Sequence, residues 1–138
     1  MHHIGLNCSD PIAIERWYAK HFGFVRERVY LPGPDQVVVI GNGGVSLELF
    51  PAPGEASSPP PERDGPTSPG VRHLAFLVDD LDGKLAEMGE DAKITLGPLD
   101  MGDFIEGMRV AWISDPEGNV VELNQGYEEE KNPPPLDR

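Results

Sequence analysis

The chain is short of cysteine, of basic side chains and of long apolar runs. Cys8 is the only cysteine in 138 residues. No intrachain disulfide can therefore staple the fold, which fits a reducing compartment. No run of about 18 apolar residues occurs, so no transmembrane helix is expected. No basic segment leads into an apolar stretch at the N-terminus, so no signal peptide is expected and a cytoplasmic location follows. Lys and Arg number 11 against 24 Asp and Glu, for a net charge of −13. That charge repels phosphate backbones and anionic membrane surfaces, which argues against nucleic-acid and membrane partners. Acidity here keeps the protein soluble and says little about substrate. The length suits one domain that can bury a core without disulfides.

What is present is a repeat. His3-Ile-Gly-Leu-Asn-Cys-Ser-Asp10 and His73-Leu-Ala-Phe-Leu-Val-Asp-Asp80 have the same form, and a helical pattern follows each. Each His is answered, at nearly equal spacing, by a Glu between aliphatic residues: Glu48 in Leu47-Glu48-Leu49 and Glu122 in Val121-Glu122-Leu123. In the first copy, alternation predicts a strand over 2–8. Asp10 as N-cap and Pro11 at the first helical position open a helix. Ile14, Trp17, Tyr18 and Phe22 form its apolar face, and Gly23 ends it. Strands are predicted over 24–31, 36–40 and 45–50, joined by Pro32-Gly33-Pro34-Asp35 and Asn42-Gly43-Gly44 turns. Residues 51–70 hold nearly half of the 15 prolines and little apolar content, so they read as a linker or exposed loop.

The second copy repeats the order. A strand is predicted over 71–78. A shorter helix, capped by Asp79 or Asp80, carries Leu81, Leu85 and Met88. Further strands follow over 94–99, 108–114 and 119–124, the last two joined by the tight turn Asp115-Pro116-Glu117-Gly118-Asn119. Residues 126–138 are charged and Pro-rich and are expected to form a mobile tail. The chain is thus α+β: one domain over 1–125, built from a module at 1–50, the linker, and a module at 71–125, each strand-helix-strand-strand-strand.

Alternation also assigns faces. Ile4, Leu47, Leu74, Val121 and Leu123 would pack on the helices, leaving His3, Glu48, His73 and Glu122 on the concave side. One Glu between two Leu is ordinarily a half-exposed strand position; its recurrence with a matched His overturns that reading. Buried carboxylates need partners, and a cation is a natural one. Two imidazoles and two carboxylates suit Zn, Ni, Co, Mn or Fe as a divalent cofactor. His2 falls on the opposite face. The helix dipole accounts for His21, and Cys8 reads as a small core residue.

These motifs resemble the vicinal oxygen chelate superfamily, which contains glyoxalase I, methylmalonyl-CoA epimerase, extradiol dioxygenases, and fosfomycin and bleomycin resistance proteins. The matching residues are His3-Ile4-Gly5-Leu6 with Ser9-Asp10, Trp17-Tyr18 with Phe22-Gly23-Phe24, Leu47-Glu48-Leu49, Arg72-His73-Leu74-Ala75-Phe76 with Val78-Asp79-Asp80, and Asp115 through Leu123. The resemblance implies paired βαβββ modules whose curved mixed sheet forms a cup around a metal, in a homodimer that binds a small-molecule substrate. It implies His3, Glu48, His73 and Glu122 as metal ligands. His3, His73 and Glu122 alone would match an Fe(II) ring-cleavage dioxygenase. Glu48 adds the fourth ligand of glyoxalase I and the epimerases. The implied activity is a glyoxalase-like lyase or isomerase that takes a proton next to a chelated carbonyl, with Glu122 or Glu48 as base. The alternatives are the dioxygenase and a non-catalytic drug-binding protein of the bleomycin resistance type. Many glyoxalase I sequences carry an Arg four positions after the first metal His, for the glutathione carboxylate. Asn7 stands there, which counts against glutathione. Arg26, Arg28 and Arg109 are the candidate replacements.

Overall fold

The computed structural model describes residues 1–55 and 59–136. The middle of the expected linker and the last two residues of the expected tail lie outside them. Element order is β1 His3–Cys8, α1 Pro11–Phe22, β2 Val25–Tyr30, β3 Val37–Gly41, β4 Ser46–Pro51, β5 Leu74–Leu77, α2 Leu81–Met88, β6 Lys93–Asp100, β7 Arg109–Ser114 and β8 Val120–Gln125, with a 3-10 turn over Gly89–Asp91. The strands form two four-stranded mixed sheets of identical topology, β1-β4-β3-β2 and β5-β8-β7-β6. In each, the first strand runs parallel to the fourth and the remaining pairs are antiparallel. Two tandem βαβββ modules are therefore present.

Local chemistry explains the boundaries. Asp10 caps α1 by accepting from the Ile12 and Ala13 N–H groups at 3.1 and 3.0 Å, and Pro11 occupies the first helical turn. Gly23 closes the helix in the left-handed region at φ 67°, where a side chain would be strained. Asp80 caps α2 through the Gly83 N–H at 3.0 Å. β6 is an edge strand, and its pairing with β7 breaks step at Ile94/Leu96 and Leu96/Leu99. Pro98 lies in that stretch and has no N–H for a ladder, which fits an edge position.

One core joins the modules. Ile14, Trp17 and Tyr18 of α1 and Leu81 and Met88 of α2 cluster with Leu47, Leu49, Ile113, Val121 and Leu123 from both sheets. Phe22 stacks on Phe76 of the other module at 4.2 Å between ring centres. Trp17, Tyr18 and Cys8 are core residues, as expected. A second, smaller cluster of Met108, Val110, Trp112 and Val120 lies on the opposite face of the second sheet, with Leu96, Met101 and Ile105 packed against it.

The 71–78 strand is shorter than its pattern suggests. Val71, Arg72 and His73 precede β5 outside the ladder, and Arg72 and His73 bond to Asp64 of the linker instead. Residues 126–136 carry no helix or strand. No described helix is long and apolar enough to cross a membrane.

Candidate metal centre

The two-residue period of a strand sends neighbouring side chains to opposite faces. Leu47 and Leu49 are buried in the shared core, so Glu48 between them points to the other face. Its backbone lies opposite Gly5 on β1 and Val39 on β3. His3, two residues before Gly5, shares that face, and its Nε2 stands 3.3 Å from Glu48 Oε2. The second module repeats this. Val121 and Leu123 are buried, Glu122 lies opposite Ala75 and Trp112, and His73 Nε2 is 3.0 Å from Glu122 Oε2. The second pair is the more enclosed: His73 and Glu122 are 21% and 14% exposed, against 46% and 20% for His3 and Glu48.

The separations in both pairs suit a direct His–Glu ion pair and equally two ligands of one cation. Ligand atoms each about 2.0–2.2 Å from one ion, at roughly a right angle to a tetrahedral angle, lie about 3.0–3.4 Å apart. His73 is the more constrained of the two imidazoles. Its Nδ1 is 2.6 Å from the Asp64 backbone carbonyl. A carbonyl has no proton to give, so Nδ1 carries the hydrogen and neutral His73 presents a lone pair at Nε2. A lone pair facing a carboxylate oxygen at 3.0 Å is repulsive unless a proton or a cation stands between them. Glu122 is steadied in turn by the Asn124 amide, which donates to Oε1 at 3.1 Å.

The structure thus brings His3 to Glu48 and His73 to Glu122. It does not gather all four within one chain: no group of three or more potential ligands occurs among the described residues. Each half-site sits beside the edge strand of its own sheet, β1 or β5.

Several neighbours escape a reading of the sequence. Trp112 lies opposite Glu122 with its ring centre 6.2 Å from that of His73. Its buried Nε1–H has no acceptor among the described residues, and neither has Asn124 Oδ1 a donor. The signal for Asn124 was available, since it shares a face with Glu122 two residues on; the Asp64 carbonyl left none. In the first module, Glu27 occupies an irregularity in the β2–β3 pairing and accepts from Ser46 Oγ at 2.8 Å.

The remaining candidates separate. Arg26 pairs with Glu15 of α1 and Arg109 with Asp82 of α2, both on the helix side. Arg28 lies opposite Val39, hence on the Glu48 face, with its guanidinium 5.6 Å from the Tyr30 ring centre. His2 is exposed, its Nδ1 2.9 Å from that of His3. His21 is buried and its Nε2 contacts Asp91 at 2.8 Å, a specific partner in addition to the helix dipole.

Residues 1–123 match the family model described as Glyoxalase/Bleomycin resistance protein/Dioxygenase superfamily. The uncharacterized protein YwkD of Bacillus subtilis (strain 168) is 32% identical over 126 residues, covering 89% of this chain and 94% of its own. The fold superposes on a glyoxalase/dioxygenase from Nostoc punctiforme with a TM-score of 0.69 and 27% identity, covering 92% of this chain and 90% of that one. It also superposes on the trypanothione-dependent glyoxalase I of Leishmania major (TM-score 0.65, 23% identity, 91% and 86% covered), a likeness of fold.

Proposed function

This chain belongs to the glyoxalase/bleomycin resistance protein/dioxygenase superfamily, and on that premise we propose that it is a metal-dependent lyase or isomerase acting on a small oxygenated substrate. The observation that carries the reading is the repeated His–Glu pair, above all His73 with its Nδ1 bonded to a carbonyl and its Nε2 facing Glu122. His3, Glu48, His73 and Glu122 would hold a divalent ion of the Zn, Ni, Co, Mn or Fe type. When bound, such an ion supplies Lewis-acid stabilisation of negative charge developing on the substrate's neighbouring oxygens.

The rest of the chemistry belongs to the protein. Both Glu122 oxygens are engaged, one by His73 and one by Asn124. Glu48 has His3 on Oε2, no partner on Oε1 among the described residues, and greater exposure. We therefore assign Glu48 as the base that takes the proton next to the substrate carbonyl, and Glu122 as a ligand. Apolar Val110, Leu96 and Met101 around Trp112 would exclude water from the second module's face. Because each pair has its own sheet, with β1 and β5 at the sheet edges, the complete set is proposed to form where β1 of one chain meets β5 of a second copy in a homodimer.

Metal analysis after dialysis against Co or Zn tests the premise; a wild type that retains no ion sinks the enzyme reading. Glu48→Gln is expected to bind the ion more weakly and, at saturating ion, to lose about 10²–10⁴ in the rate of proton exchange next to a carbonyl. That exchange can be followed by NMR in D2O across a panel of small carbonyl compounds. Glu122→Gln is expected to lose metal affinity first. A second reading, a small-molecule binding protein, draws support from the apolar floor and the unpartnered indole N–H of Trp112. That N–H lacks an acceptor among the described residues, and the reading predicts tight binding that survives a chelator and yields no product.

A further inference from the structure

The Pro-rich stretch between the modules does more than span them. Residues 61–65 fold back along the second module and make a bonded loop. The Gly65 N–H donates to the Glu62 carbonyl at 3.1 Å, and Thr95 Oγ1 on β6 donates to the Arg63 carbonyl at 2.6 Å. Asp64 takes both ends of the Arg72 guanidinium, at 2.9 Å from Nε and 3.3 Å from Nη2. Gly65 is buried at φ 116°, and a Cβ there would stand 1.9 Å from the Arg72 carbonyl oxygen. Only glycine permits this approach. The product of these contacts is one placement: the Asp64 carbonyl against His73 Nδ1 at 2.6 Å.

Among the described residues the first module has nothing equivalent. Among the described residues His3 Nδ1 meets only the exposed side chain of His2, which can turn away, whereas the Asp64 carbonyl lies in a loop held by two bonds to its backbone and two to the Asp64 carboxylate. A carbonyl on Nδ1 selects the tautomer whose lone pair is on Nε2, and it holds the ring plane as well.

We propose that the 61–65 loop, through Asp64, Gly65 and Arg72, is a positioning device that locks His73 as the Nδ1–H tautomer and aims Nε2 at the ion position beside Glu122. The inference rests on the metal reading above. Asp64, Gly65 and Arg72 are positioning residues, since each acts through the contact at His73 Nδ1 and not at Nε2.

The test uses the full chain with Co or Zn alone as probe, in wild type, Asp64→Ala, Arg72→Ala, the double variant and Gly65→Ala. Ion affinity is measured by calorimetry. The His73 ring nitrogens are read in metal-free protein by long-range proton–nitrogen spectra, with His73→Ala as the assignment control. Ion affinity is expected to fall about 10–100-fold in each variant, and the Asp64/Arg72 double variant should be no worse than either single one. The His73 signal should move from a fixed Nδ1–H tautomer to a mixture, whereas His2→Ala leaves it in place. If Gly65→Ala fails to fold, the Arg72→Ala and Asp64→Ala variants carry the test. A purely structural loop would lower the melting temperature and leave both the tautomer and the affinity of the folded protein unchanged; that result overturns the proposal. Strong wild-type binding with equal affinity in all variants overturns this inference alone. A wild type that takes up neither ion overturns the metal reading, and this inference with it.

Discussion

Cys8 and Tyr18 show how burial and charge set the behaviour of single residues here. Cys8 is wholly buried, and burial, followed by the Glu117, Asp115 and Asp10 carboxylates, pushes its thiol up to about 12. In the unfolded chain a cysteine ionises near pH 8.5. Between these values the unfolded state has lost a proton that the folded state keeps. The contribution to stability is therefore complete below the unfolded pKa and is lost as pH rises through that window. Urea unfolding at several alkaline pH values should show a steeper fall for wild type than for Cys8→Ala, and the native thiol should resist an aromatic disulfide reagent at pH 8. Tyr18 titrates in the same direction: burial first, then Asp115, hold its hydroxyl well above the ordinary value. Its hydroxyl donates to Asp115 Oδ2 at 3.0 Å across the two modules. Tyr18→Phe removes one hydrogen bond to a carboxylate and should cost about 1–3 kcal/mol in chemical denaturation.

The β7–β8 hairpin depends on that same carboxylate. Asp115 accepts from the N–H groups of Glu117 and Asn119 at 2.9 and 2.8 Å, from the Asn119 amide at 2.8 Å and from Tyr18. Burial raises its pKa, and these donors work against the rise. Glu117, in the same turn, reaches the N–H and hydroxyl of Ser9 at the end of β1. Asp115→Ala strips all four donors at once, two of them side chains. It should cost on the order of 3 kcal/mol or more, well beyond Tyr18→Phe, and should loosen the strand that carries Glu122. Urea denaturation of the two variants side by side checks the ranking. At this scale much was legible from the chain alone. Asp10-Pro11, Gly23 and the Asp115–Asn119 turn are local signals, and each marks a boundary in the structure. Local signals also explain Glu48 and Glu122, because alternation fixes a face without knowledge of the fold. What alternation cannot supply is a partner from a segment without period. The late start of the 71–78 strand, His21 on Asp91 and His73 on Asp64 all depend on loops or turns meeting elements far off in sequence. The sorting of Arg26, Arg28 and Arg109 likewise needed the β2–β3 register and the helix positions.

At the scale of the whole molecule, the positions of the two His–Glu pairs bear on assembly. One shared core holds both helices and one face of each sheet, so each His–Glu pair lies on a sheet face turned from that core. No described group of three ligands forms within the chain, yet the repeat supplies two equivalent halves. In a twofold dimer that joins β1 of one chain to β5 of the other, two complete sites arise by symmetry, each from the first module of one chain and the second module of its partner. Subunit mixing tests this directly. If that dimer forms, His3→Ala and His73→Ala should each abolish tight metal binding alone, since every site in either variant's dimer lacks a ligand. In a mixed dimer both lesions fall on one site and the other is intact. Equal mixing, unfolding and refolding together should therefore restore about a quarter of the wild-type sites, read as bound metal after dialysis. If each chain closed its own four-ligand site, every chain in the mixture would still lack one ligand and no metal would return.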